Sequence, residues 1–189
     1  TGVFMENIVG GLAKEDIEKN PDEQDHFTEF LSNDPQYPCN HPELKDKYKG
    51  ACYFLQTSRM MQLFGTNFKR IAETCSETPD IYQRTCFESM GRDVGGVHGK
   101  DNAGAIASCS FAPAGTMREG CLSGAVQDTF WDPSGQDTAL GFCKLLTNQG
   151  EKDACYAIIF GRAPDILASK SELKNFCMKA EPAYRDLCL

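Results

Sequence analysis

The sequence predicts an all-α protein, a right-handed array of antiparallel helix hairpins in about four 34-residue repeats, clamped by five disulfides. Three observations carry this. Ten cysteines fall into short-spaced pairs: Cys39 with Cys52, Cys75 with Cys86, Cys109 with Cys121, Cys143 with Cys155, and Cys177 with Cys188. The second members recur at steps of 34, 35, 34 and 33 residues, and a period that steady marks a helical repeat. Around each pair the apolar residues return at helical spacing, on helices too short to be stable without a neighbour.

Residues 1–38 lie outside the period. Val3, Phe4, Ile8, Val9 and Leu12 suggest a short helix interrupted by Gly10-Gly11, and 22–31 a second with Phe27, Phe30 and Leu31 on one side. Asp34-Pro35 and Tyr37-Pro38 then force turn geometry. This segment reads as a helical cap on the first repeat or a tether, and 39–189 as the cysteine-clamped repeat domain. First helices are predicted at about 42–64, 79–92, 113–130, 152–161 and 182–188, and second helices at about 67–75, 102–109, 136–146 and 171–178. Pro79, Pro113 and Pro182 suit first turns, where a missing N–H costs nothing. Thr78, Ser134 and Ser171 read as N-caps.

Tyr48, Tyr82, Met117 and Tyr184 stand four residues before one cysteine of each unit, and Tyr53, Phe87, Leu122 and Tyr156 directly after it. Lys49, Arg118, Lys152 and Arg185, three before it, read as exposed bases.

Two pairings compete. One joins cysteines across each short turn and leaves none over. The other joins Cys52 to Cys75, Cys86 to Cys109, Cys121 to Cys143 and Cys155 to Cys177, and orphans Cys39 and Cys188. Residues about five from the centre of a tight helical turn face each other at disulfide distance, which selects the first. Loops this short would each contribute about 3 kcal/mol in the chain-entropy model.

Net charge is −8, which disfavours nucleic acid and anionic membrane surfaces. No run approaches the roughly 18 apolar residues of a membrane span. Ten paired cysteines point to an oxidising compartment: secreted, periplasmic or at the cell surface. The sequence starts at Thr1, as it would after removal of a signal peptide or after trimming for expression.

Chemistry is sparser. With no Cys-x-x-Cys and with His26, His41 and His98 scattered, no metal or cofactor is expected. Ser171-Glu-Leu-Lys174 spells the Ser-x-x-Lys of penicillin-recognising enzymes, although a capping serine explains it more simply. Asp132-Pro-Ser-Gly-Gln-Asp137, with Asp128 one turn earlier, has oxygen ligands around a glycine but reads as a turn. The stretch 94–101 reads as a glycine-rich loop carrying His98. Arg59, Arg92, Asp128 and Arg162 occupy equivalent places six or seven residues after a cysteine. Such a series forms a ladder along one face of a repeat, so these four and His98 are the candidate binding residues.

In its period, its paired helices and its one bridge per unit, the chain resembles secreted cysteine-rich helical repeats of the tetratricopeptide-like superfamily over residues 39–189. The resemblance implies a scaffold that holds a protein or peptide partner, as a subunit of a larger assembly or alone; it assigns no residue a role. A non-enzymatic extracytoplasmic binding module is therefore the expectation. The alternative is a serine-dependent, penicillin-recognising hydrolase on the same scaffold.

Overall fold

The computed structural model describes residues 32–131 and 134–188. Among these the chain is all-helical, with ten α-helices, one 3-10 turn and no strand. The expected helices at 1–31, and their capping role, lie outside the described residues. None of the described helices is long and apolar enough to cross a membrane. The chain forms two compact units, divided between Met90 and Gly91.

The first unit contains α1 (Asp46–Tyr53), α2 (Gln56–Phe64), α3 (Phe68–Ser76) and the start of α4 (Asp80–His98). The single helix predicted over 42–64 is broken at Phe54 and Leu55. The break turns Gln56 fully inward, where its amide donates to the carbonyls of Pro35 (2.7 Å) and Tyr37 (2.9 Å). A buried amide needs such partners, and here they pin the entering turn to α2. Gly65, at φ 60°, ends α2 in a conformation that disfavours any side chain. Asn67 then caps α3 by accepting from the Arg70 N–H at 3.2 Å. Thr78 does not cap α4 as its position suggests. Its hydroxyl donates back to the Cys75 carbonyl at 2.7 Å and closes α3 instead.

The second unit holds the rest of α4, then α5 (Asn102–Cys109), α6 (Thr116–Trp131), α7 (Gly135–Leu145), α8 (Gln149–Ile166), α9 (Lys170–Met178), the 3-10 turn Pro182–Tyr184 and α10 (Arg185–Cys188). Helix α6 is its centre: Gly120 through Val126 are all buried, and α5, α7 and α8 pack against it. A Cβ at Gly91 would run into the Cys121 carbonyl oxygen, and one at Gly95 would stand 2.8 Å from that of Ala125. Two glycines one turn apart thus let α4 lie against the α6 backbone.

Several boundaries differ from expectation. The predicted loop over 94–101 is mostly helix: α4 runs to His98, and only Gly99 to Asp101 turn, with Gly99 at φ 56°. Val94 and Gly95 are buried, so packing holds a stretch whose glycines alone suggest a loop. Helix α8 passes the expected end at 161 and carries Pro164 in its last turns. Ser169, not Ser171, caps α9, in a capping box with Glu172. Ser134 does sit at the N-cap of α7, without a side-chain cap bond.

All five disulfides join cysteines across the short turns. Cys39 is bonded to Cys52, Cys75 to Cys86, Cys109 to Cys121, Cys143 to Cys155 and Cys177 to Cys188, with Cα separations of 5.5–5.6 Å. The competing scheme, in which Cys52 would reach Cys75 and Cys155 would reach Cys177, is absent, because both cysteines are already taken by the partner across their own turn. No cysteine among the described residues is free.

Candidate binding cleft and the charged positions

A concavity of the first unit lies where the turn bridged by Cys39 and Cys52 meets that bridged by Cys75 and Cys86. It is an open cleft of about 610 Å³, within the size range of ligand sites. Tyr53 and Tyr82 line it, stacked with ring centroids 4.9 Å apart at 23°. Burial, then neighbouring Tyr82 and Asp34, push the Tyr53 hydroxyl above the usual tyrosine range. Pro79 and Ile81 add apolar wall, and Ile81 is 78% exposed. The rim carries Glu77 and the pair Lys49–Asp46 at 2.9 Å. One wall is anchored by the Gln36 amide, which donates to the Thr74 carbonyl at 3.0 Å. The cleft thus combines an aromatic and aliphatic surface with the polar Gln36 and Asn40 and three charged side chains.

The ladder positions are placed unequally. Arg59 is tied locally, donating to the Ser32 carbonyl (2.9 Å) and to Gln62 Oε1 (2.7 Å), and burial lowers its pKa. Arg92 and Asp128 come together in the second unit. Crowding by the protein pushes the Asp128 carboxyl up, and the Arg92 charge pulls it partly back. Arg162 lies 5.7 Å from the Trp131 ring centre and 3.4 Å from Gln127 Oε1. Its guanidinium and the indole are both exposed.

His98 is not on a loop over a concave face. It ends α4, with Nε2 2.9 Å from Ser108 Oγ and Nδ1 3.7 Å from Asp101 Oδ2. Ser171 and Lys174 stand exposed on the first turns of α9, and the Ser171 hydroxyl meets that of Ser169 at 3.0 Å. Of the acidic stretch, Asp132 and Pro133 lie outside the described residues, and Asp137 is paired with Lys179 at 2.8 Å. Among the described residues no group of His, Cys, Asp and Glu is arranged to hold a metal ion.

Three of the bases that look exposed are in fact paired, Lys49 within its own helix and two with residues far along the chain. Arg118 reaches the buried Glu151 through both its Nε (2.6 Å) and Nη2 (2.5 Å). Lys152 meets Glu181 at 3.2 Å. Sequence reasoning also passes over Ile81, Glu77 and Ser108, for which the only signals are proximity to Cys75, Cys86 and Cys109.

No family model, curated protein or solved structure matches the chain. The molecule is thus defined by its own geometry: an all-helical protein stapled by disulfides, with an aromatic-walled cleft beside two of its bridged turns.

Proposed function

We propose that the protein is an extracytoplasmic scaffold that holds a protein or peptide segment, with the cleft of the first unit as its contact surface. The observation that carries this is Ile81, an aliphatic side chain left 78% exposed beside the stacked Tyr53 and Tyr82 in a concave wall. Aromatic and aliphatic groups fixed in a depression among polar and charged ones form the mixed pattern of an interface. Five disulfides support work in an oxidising compartment and would keep the wall rigid, lowering the ordering cost of binding.

The repeat reading has support of the same kind. The residue directly after one cysteine stacks on the residue four before a later one in both units, as Tyr53 on Tyr82 and as Tyr156 on Tyr184. The hairpins behave as copies of one design, in which each covers the apolar edge of the next. The alternative of a hydrolase built on Ser171 and Lys174 gains nothing from their exposed places on α9.

The test is selection of a displayed random-peptide library on the oxidised protein. Enriched peptides should bind the wild type and lose at least about tenfold in affinity on Ile81→Glu, with Arg162→Glu unchanged. Peptides indifferent to Ile81→Glu, or lost on Arg162→Glu instead, would move the contact surface away from the cleft.

A further inference from the structure

The turn between α4 and α5 assembles three side chains in an order that a binding scaffold does not require. His98 Nε2 stands 2.9 Å from Ser108 Oγ, while Asp101 Oδ2 stands 3.7 Å from His98 Nδ1 on the other side of the ring. A hydroxyl, an imidazole and a carboxylate in series are the elements of serine nucleophile activation, recognised by geometry and not by chain order. We propose that Ser108 is a nucleophile, with His98 as its general base, able to accept the acyl group of a small activated ester.

Three features of the site support this. The Asp101 carboxylate is held in place, because its other oxygen, Oδ1, accepts the Gly104 N–H at 3.0 Å as the cap of α5. Gly104 leaves room for the arrangement. A Cβ there would collide with the Asp101 carboxylate and approach His98 Nδ1 to 2.6 Å. Finally, the site is narrowly open to solvent: the His98 side chain is 23% exposed and the Ser108 residue 9% exposed. That restricts the substrate to small acyl groups.

The step balances with water as the only co-reactant. The carboxylate facing Nδ1 favours the tautomer with its proton there, in which Nε2 is the acceptor for the Ser108 hydroxyl. Ser108 Oγ attacks the ester carbonyl carbon, its proton passes to Nε2, and the bond to the leaving alkoxide or phenoxide breaks as that oxygen takes the proton. Water, deprotonated by the same Nε2, then attacks the acyl-serine, releases the carboxylic acid and restores the hydroxyl. Asp101 touches no reacting atom and acts as a positioning residue.

The experiment treats the folded, oxidised protein with 4-nitrophenyl acetate, quenches in acid, and maps acetylation by peptide mass while following nitrophenolate release. Acetyl at Ser108 is expected, slowed on the order of 100-fold in His98→Gln, the contribution typical of a general base. Ser108→Ala should lose that share of nitrophenolate release while keeping the helical circular-dichroism signal. Asp101→Asn retains a good capping residue and should alter the pH profile of acetylation without unfolding α5. An unlabelled Ser108 in the folded wild type, or equal Ser108 acetylation rates in His98→Gln and wild type, would overturn the proposal and leave the three residues as a staple of the turn.

Discussion

The two tyrosine stacks, Tyr53–Tyr82 in the first unit and Tyr156–Tyr184 in the second, begin from the same sequence positions and end differently. Both pair a buried ring directly after a cysteine, Cys52 or Cys155, with a ring one turn before another. In the second unit the hydroxyls are bound into a polar network. Tyr156 donates to Glu181 at 2.9 Å, Tyr184 donates to Asp153 at 2.5 Å, and Lys152 pairs with the same Glu181. Burial, followed by the Glu181 contact, drives the Tyr156 hydroxyl far above the usual range. In the first unit no such network joins the two hydroxyls among the described residues, and the stack opens on a cleft of about 610 Å³; its counterpart borders one of about 370 Å³. A repeated packing device thus has its hydroxyls bound into a charged network in one place and left out of one in the other, while each copy borders an exposed aliphatic side chain, Ile81 or Leu187. Stability and binding can be divided between copies of one motif.

The largest expected effect breaks the stacks themselves. Tyr156 and Tyr53 are each 1% exposed, so truncation to alanine leaves a cavity with little room to collapse. Losses of about 3–5 kcal/mol are typical of large aromatic truncations in a core. Tyr156→Ala should fall at the upper end, since it also strands Glu181, and Tyr53→Ala at the lower. Urea unfolding of the oxidised variants measures both. Equal losses would mean that the network adds nothing to the second stack.

How much of this was legible in the sequence depended on whether a signal was internal to one helix. The bridges and the period are chain-local, because a cysteine eleven to thirteen residues from its partner needs only a turn between them. The tyrosine positions were visible as a periodic series, although their stacking was not. Arg118 and Lys152 looked solvent-facing since their own helices offer no partner; Glu151 and Glu181, which bind them, lie 33 and 29 residues away. Gly95 reads as part of a loop, and nothing in the sequence singles out Gly91, whereas both are points of close approach to α6. His98 drew notice, but Ser108 did not: a separation of ten residues carries no helical phase once a turn intervenes. Ser171 looked like a cap because a serine two residues earlier meets the same local pattern, and only backbone geometry chooses between them.

A gentler change sharpens the comparison. Tyr156→Phe keeps the ring stack and removes one hydroxyl, leaving Glu181 with Lys152 alone. A hydrogen bond to a charged group is worth roughly 1.5–3 kcal/mol, so a loss near the lower bound is expected at this partly buried site. Tyr53→Phe removes no hydrogen bond seen among the described residues and should cost less than about 0.5 kcal/mol, below the net worth of one such bond. The same unfolding curves report both, and a Tyr53→Phe loss as large as that of Tyr156→Phe would show that the first stack also depends on its hydroxyl.

The smallest effect is a matter of pH. Hydrogen bonds from Tyr184 and then Gln149 hold the Asp153 carboxyl below the usual aspartate range. A carboxyl whose pKa is lower in the folded than in the unfolded chain stabilises the fold above the unfolded value, about 4, and loses that contribution as pH falls through the lowered native value. Acid should therefore weaken the second stack, but only below about pH 4. The measurement is the difference in unfolding free energy between wild type and Asp153→Asn across pH 6 to pH 2. It should shrink on the acidic side and stay level above it. A difference that is level throughout would remove Asp153 from the lock and leave Glu181 as the residue that distinguishes the two stacks.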